Sequence, residues 1–375
     1  MKRLSILLVL FTLYTPSAFA FAAFETPATN AILIDADTGA ILYAKNPDQR
    51  MHPSSMSKLM TVYMVFDRLK KGTLHLTDTF PVSENAWRKQ GSKMFVHVGD
   101  QVSVGDLLQG IIVQSGNDAC IVIAEGLSGS EEAFAETLNE KAKELGLTNS
   151  TFRNATGWPD PNHLMTVRDL TILANHLIKD FPEYYHYFSQ KDFVYNGIHQ
   201  ENRNMLLDRL GVDGLKTGHT EEVGYGITMS GKQNGRRLIL AMNGLSGTKE
   251  RASESERLLE YGFLNFDNVT IFKKDALIDE VPVWMGKEKT VPLTINQNII
   301  FTVPKNDAAK IKATLTYDSP VKAPVKQGDH IANLVVSVPG LGDKTYPLVA
   351  ASSDDKLSLL GKMIANTTYY LTGKM

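Results

Sequence analysis

Apolar residues along this chain change spacing several times, and each change marks an element. Ala31-Ile-Leu-Ile-Asp35 and Ala40-Ile-Leu-Tyr43 flank Ala36-Asp37-Thr38-Gly39, which predicts a hairpin closed by a glycine turn. After Met51-His52-Pro53 the spacing lengthens. Met60, Tyr63, Met64 and Phe66 predict a helix from near Ser55 to Lys70-Lys71-Gly72, where basic residues and a following glycine are stop signals. Residues 73–105 show no sustained period and read as loop. Helical spacing returns in Asp106–Gln114 and Asp118–Glu125, interrupted at Ser115-Gly116-Asn117, and again in Glu131–Leu145, which Gly146 ends. Residues 147–165 form a long loop, and Thr166-Val-Arg-Asp169 opens a further helix to Ile178. Tyr225–Ser230 and Arg237–Met242 are apolar strands around Asn234-Gly235, and Thr248–Phe263 is a charged amphipathic helix.

Strands near both ends of the first 265 residues, with helices between them, predict one sheet built from distant segments and a helical insertion. After Asn265 the period becomes that of short strands: Val269–Phe272, Val281–Trp284, Ile299–Val303, Ile311–Tyr317 and His330–Val338. Turn residues separate them at intervals of roughly ten residues, the pattern of a small all-β domain. The last stretch, Lys356–Met375, mixes apolar residues with Lys356, Lys362 and Lys374. It reads equally as an amphipathic helix lying on a membrane and as an exposed tail.

The first twenty residues stand outside the fold. Lys2 and Arg3 precede an apolar run from Leu4 to Tyr14, and Ser17-Ala-Phe-Ala20 offers small residues for cleavage, which describes a secretory signal peptide. Cleavage after Ala22 or Ala23 fits as well as after Ala20. The expected division is a signal peptide (1–20), a catalytic domain (25–265), a β-rich domain (266–350) and a tail (351–375). The single cysteine, Cys120, allows no internal disulfide, and its apolar neighbours make it a core residue. A net charge of −2 gives no general footing for nucleic acid, so any anion site must be a local basic cluster.

Candidate chemistry begins at Ser55-Met-Ser-Lys58. Positions three apart on a helix share a face, and a desolvated lysine with a lowered pKa can take a serine's proton. Ser-x-x-Lys occurs at Ser55, Ser246, Ser319 and Ser353, so the motif alone is weak. Proline breaks the copy at Ser319, the copy at Ser246 precedes a charged exposed helix, and Ser353 lies in an acidic stretch. Only Ser55 has an apolar helix behind it. Ser115-Gly-Asn117 and Lys216-Thr-Gly218 follow in chain order, and the three motifs together match the set of penicillin-recognising acyl-serine enzymes.

The longer stretches Ser115–Cys120, Asp213–Thr220 and Gly197–Asn204 resemble the serine-type D-alanyl-D-alanine carboxypeptidases, which are low-molecular-mass penicillin-binding proteins of peptidase family S11. The resemblance covers nearly the whole mature chain. It implies an α+β catalytic domain of the β-lactamase/transpeptidase type, with an antiparallel sheet and a helical subdomain, followed by the small all-β domain. It implies removal of the terminal D-alanine from peptidoglycan pentapeptide stems, acylation by β-lactams, and a periplasmic location at the outer face of the inner membrane. Neither cofactor nor nucleic acid is implied.

Carried over residue by residue, the resemblance makes Ser55 the nucleophile, Lys58 its base with Lys216 as a neighbouring cation, and Ser115 a proton relay to the leaving nitrogen. Asn117 would bond the substrate backbone and Lys58. Lys216, Thr217 and Arg203 would bind the substrate carboxylate, a role suited to a guanidinium fork. The backbone N–H groups of Ser55 and His219 would form the oxyanion hole. Gly218 completes the motif, and His163 falls where the family has a histidine bordering the site.

A β-lactamase shares the motifs, but class A enzymes deacylate with a loop glutamate, and none occurs between Gly146 and Pro182. A D,D-endopeptidase shares the site and is not separated by motifs. A non-catalytic scaffold would have lost Ser55 or Lys58, and no His-x-x-x-His or Cys cluster supports a metallopeptidase.

Overall fold

The computed structural model describes residues 24–372, so the expected signal peptide lies outside the described residues. A five-stranded antiparallel sheet organises the first 245 residues, built from β1 (Asn30–Asp35), β2 (Ile41–Lys45), β3 (Val212–Thr220), β4 (Gly224–Gln233) and β5 (Arg236–Leu245). Their order across the sheet is β2, β1, β5, β4, β3. The chain thus leaves the sheet after its second strand and returns only at Val212, which is the distant-segment sheet the apolar pattern predicts.

Side chains alternate faces along a strand, so a sheet covered on both sides shows no polar face. All six residues of β1 are buried. Ile32, Ile34, Ile239, Ala241 and Leu215 belong to the core shared with the helices. Those helices are α1 (Lys58–Lys70), α2 (Val104–Ile112), α3 (Asn117–Ser128), α4 (Glu131–Glu144) and α5 (Val167–Asp180). Ala31, Leu33, Leu238, Leu240 and Met242 face a second core with Leu258 and Leu259 of α6 (Thr248–Asn265).

Side-chain caps fix the helix starts. Ser103, Ser130 and Thr166 each accept a hydrogen bond from the backbone N–H three residues on. The stretch 73–105, read as loop, carries a small two-stranded pair (Thr79–Pro81 with Gln101–Ser103) and a one-turn helix, Glu84–Arg88. Segments of three to five residues are too short to leave a period in sequence. A hairpin that the pattern did not predict, Asp192–Tyr195 with Ile198–Glu201, turns on Asn196 and Gly197, both at positive φ.

Beyond Phe266 a separate core forms around Val281, Leu293, Phe301, Leu334 and Val336. Its main sheet has six strands, in which His330–Val338 pairs with Gly342–Ala350, and Phe266–Phe272 pairs with Ile299–Pro304 in a separate two-stranded sheet. The two units meet through polar contacts. Asn268 Nδ2 donates to Asp35 Oδ1 at 3.2 Å, and Arg236 holds the buried Asp35 at 2.8 Å while donating to the Phe266 carbonyl at 2.7 Å. A last helix, α7 (Leu359–Thr372), reaches back so that Tyr369 meets Trp284 edge-on at 5.2 Å. Among the described residues no helix is long and apolar enough to cross a membrane.

Candidate active site

The turn that carries the candidate nucleophile is a 3₁₀ segment, Ser54–Ser57, running directly into α1. A 3₁₀ turn has three residues per turn, so side chains at i and i+3 eclipse. Ser55 and Lys58 therefore point the same way, with Lys58 Nζ 2.8 Å from Ser55 Oγ. Ser54 just before them has φ +51 and is buried, a sharp entry that sets the turn off the preceding strand-like Met51.

Lys58 is fully buried, and its second hydrogen bond runs to the Thr156 carbonyl at 2.7 Å. Burial is the chief force lowering its pKa to about 8. The charges of Arg203 and Lys89 push the same way, and Cys120 and Asp118 oppose them. The expected neighbour, Lys216, is itself pushed well below the usual lysine range, first by burial and then by Lys58. Lys216 Nζ bonds the Thr217 carbonyl at 3.2 Å. Two buried lysines close together disfavour a doubly protonated pair, so the proton-accepting state of Lys58 is accessible near neutral pH.

The loop after α4 brings the Thr156 carbonyl to Lys58. Asn154 Oδ1 accepts from the backbone N–H groups of Thr156 (3.1 Å), Gly157 (2.8 Å) and Trp158 (3.1 Å), and Thr61 Oγ1 ties the Ala155 carbonyl to α1 at 2.7 Å. Gly157 has φ +75, and a Cβ on it would fall 1.9 Å from the Ser54 carbonyl oxygen. Only glycine permits that contact.

His163 sits behind this arrangement rather than in it. It is buried, its Nδ1 accepts from the Arg153 N–H at 3.2 Å, and the neutral ring therefore places its proton on Nε2 toward Ser57 Oγ at 2.7 Å. Burial lowers its pKa to about 4. Its contact is with Ser57, next to Lys58 in the chain.

Ser115 follows α2 at φ +66, and its buried hydroxyl has no partner among the described residues. Such a hydroxyl is costly unless something else bonds it. Asn117 opens α3, and its Nδ2 donates to the Gln90 carbonyl at 2.8 Å. The Lys58 contact expected of Asn117 is instead made by the Thr156 carbonyl, since Asn117 is anchored to the 90–92 loop. Asp118 fixes the same region by accepting from Met94 and Phe95 N–H groups at 2.9 Å each.

Edge strand β3 supplies the opposite wall. A Cβ on Gly218 would lie 3.0 Å from the Pro53 carbonyl and 3.1 Å from Ser54 Cβ, so the strand lies flat against the nucleophile turn. Thr217 and Lys216 are buried beside it, and the exposed His219 ring stacks on Tyr225 at 3.9 Å between centroids. A cleft of about 460 Å³ opens here, lined by Ser55, Ser92, Arg203, Thr217, His219 and Arg251 among others.

Arg203 reaches across to Ser92 Oγ at 2.8 Å. The buried Arg251, on α6, donates to the Arg203 carbonyl at 2.9 Å and lies 5.8 Å from the Tyr225 ring centre. Sequence reasoning missed Arg251: it is one basic residue in a charged helix, and only the packing of α6 under β4 and β5 brings it to the cleft. It also missed the Thr156 carbonyl, because a backbone group leaves no residue signature. Cys120 is buried, and burial raises its pKa to about 12, which suits a core thiol.

A nucleophile bonded to a buried lysine, beside cationic groups, equips this cleft for acyl transfer from a substrate ending in a carboxylate. A family model described as D-alanyl-D-alanine carboxypeptidase matches residues 17–246, and one described as the C-terminal domain of penicillin-binding protein 5 matches residues 266–356. The D-alanyl-D-alanine carboxypeptidase DacA of Haemophilus influenzae is 37% identical over 379 residues, covering 97% of this chain and 96% of that protein. DacC of Escherichia coli, of the same description, is 38% identical over 364 residues, covering 94% of this chain and 91% of its own. The crystal structure of penicillin-binding protein 5 from Haemophilus influenzae superposes with a TM-score of 0.79 at 38% identity, covering 88% of this chain and 98% of that one.

Proposed function

This chain belongs to the D-alanyl-D-alanine carboxypeptidase family, and we propose that it removes the terminal D-alanine of peptidoglycan pentapeptide stems through an acyl-enzyme on Ser55. The enzyme is a serine hydrolase of that family, and its acylation by penicillin and other β-lactams follows from the same site.

Neutral Lys58 takes the Ser55 proton as Oγ adds to the carbonyl between the two D-alanines. The oxyanion rests on the backbone N–H groups of Ser55 and His219. The proton passes to the leaving nitrogen through Ser115, D-alanine departs, and the ester remains on Ser55. Water then adds to that ester, returning the proton to the serine and freeing the shortened peptide. Arg203, Lys216 and Thr217 hold the terminal carboxylate, and Arg251 positions Arg203. Asn117 orients the substrate backbone. His163 fixes Ser57 and so the start of α1, and Gly218 lets β3 approach.

The observation that carries this reading is the buried Lys58 Nζ at 2.8 Å from Ser55 Oγ, facing a cleft with Arg203. Ser55→Ala is expected to abolish both D-alanine release and labelling by radioactive penicillin. Persistent labelling would mean that another nucleophile is used.

We assign residues 25–265 to the catalytic domain, 266–350 to the β-rich domain and 351–375 to the tail; the separate cores and the second family match support this. We also place the enzyme in the periplasm, with its tail resting on the outer face of the inner membrane. The signal-peptide pattern supports export. The exposed Leu359, Leu360, Met363, Ile364, Tyr370 and Leu371 of α7 support the surface contact.

A further inference from the structure

A lysine that has lost its proton carries one lone pair, and that pair must face Ser55 Oγ for the proton to transfer. The N–H groups that remain on Lys58 decide where it points. Nζ bonds the Thr156 carbonyl at 2.7 Å, and Ser55 Oγ lies 2.8 Å from the same nitrogen. The direction of one backbone carbonyl therefore sets the direction of the base.

That carbonyl belongs to a stretch without helix or strand. Ala155 before it is pinned by two helices: its N–H donates to Glu131 Oε1 of α4 at 3.0 Å, and its carbonyl accepts from Thr61 Oγ1 of α1 at 2.7 Å. The next three residues depend on Asn154. Its Oδ1 accepts from the N–H groups of Thr156, Gly157 and Trp158 and from Thr156 Oγ1 at 3.0 Å. Its Nδ2 donates to the Trp158 carbonyl at 3.0 Å. An asparagine ordinarily turns a chain with a bond to its own backbone two residues on. Here four donors converge on one oxygen, and the shortest of these bonds, 2.8 Å from Gly157 N–H, matters most. A peptide unit is planar, and in the trans form its N–H and C=O point to opposite sides. Gly157 N–H and the Thr156 carbonyl share one such unit, so holding the first at Asn154 directs the second at Lys58.

We propose that Asn154 is a positioning residue for acylation: by holding the Gly157 N–H it turns the Thr156 carbonyl to Lys58, which aims the lone pair of the neutral amine at Ser55. The inference rests on the acyl-enzyme reading and adds to it the group that orients the base. The same carbonyl also favours the ammonium form, because a hydrogen bond to a charged group stabilises that group. Loss of Asn154 thus has two separate consequences. The base is aimed less well, so acylation slows, and the ammonium loses an acceptor, so its proton leaves at lower pH. The ionisable groups around Lys58 stay as they are: Arg203, Lys89, Lys216, Asp118, Cys120 and His163.

The test follows the rate of penicillin acylation from about pH 6 to 9. Asn154→Ala is expected to lower the plateau rate about 10- to 100-fold. It is also expected to move the ascending limb about one pH unit lower, a shift that mere loosening of the fold would not produce. Asn154→Asp keeps an accepting oxygen in the same place and is expected to restore most of the plateau rate. Asn154→Ser makes the same kind of bond more weakly and is expected to fall between them, which keeps the test readable if Asn154→Ala does not fold. A limb that stays in place in the alanine and serine variants, or a plateau that falls equally in all three, would overturn the proposal. Failure of the unaltered protein to take up penicillin at any pH would overturn the acyl-enzyme reading itself.

Discussion

Lys58 sets the chemistry because burial has made its proton easy to lose. A lysine in water holds its proton to about pH 10.4, whereas here the pKa falls to about 8. The neutral form is the base, so acylation by penicillin is expected to rise about tenfold per pH unit up to that value and then level off. The ascending limb belongs to the coupled Lys58–Lys216 pair. Arg203→Ala removes a cation that lowers the Lys58 pKa and should move the limb to higher pH. A flat profile between pH 6 and 8 would remove Lys58 as the base. At this scale the motif signatures of Ser55, Lys58, Ser115, Asn117, Arg203 and Lys216 were legible, and the fold brings Ser55, Asn117 and Arg203 to the cleft walls with Lys58 bonded to Ser55. Arg251 was not legible, because it reaches the cleft only through the packing of α6 and acts on the Arg203 carbonyl. The Asn117–Lys58 contact was misread for the same reason, since the loop carbonyl of Thr156 occupies that place.

Between residue and domain, the element that matters is the turn Ser54–Ser57 with the 154–158 loop packed behind it. Gly157 is where the two touch. Gly157→Ala would combine a left-handed backbone with a Cβ 1.9 Å from the Ser54 carbonyl, so something must shift. The expected cost is about 1–3 kcal/mol of stability, read as an earlier denaturation midpoint. A penicillin acylation rate down at least tenfold should accompany it, because the nucleophile turn moves. Retention of both would show that the loop does not hold the turn. Helices with a clear period and capping residues, such as α4 and α5, were readable in sequence to within a few residues. The short strand pair at Thr79–Pro81 and the hairpin at Asp192–Glu201 were not. Segments this short are stabilised by what they pack against rather than by their own pattern.

The molecule as a whole separates catalysis from whatever the second unit and tail contribute. Every residue placed at the cleft lies between Ser55 and Arg251, and the units meet through a few polar contacts around Asp35 and Arg236 on another part of the sheet. The distant-segment sheet was legible because strands bracket the helices in sequence, but which strand neighbours which is fixed only by packing. A chain ending at residue 356 is expected to release D-alanine from soluble peptides within about twofold of the full chain, yet to lose cosedimentation with anionic vesicles. Equal cosedimentation of both would place the membrane contact elsewhere. Whether Ser55 forms an acyl-enzyme built for peptide hydrolysis rather than β-lactam turnover is read out by time-resolved mass spectrometry of the penicillin-treated protein. A single penicilloyl adduct on the peptide containing Ser55 is expected, persisting for minutes because no glutamate of the 147–165 loop activates water. An adduct on another residue, or its release within milliseconds, would contradict it.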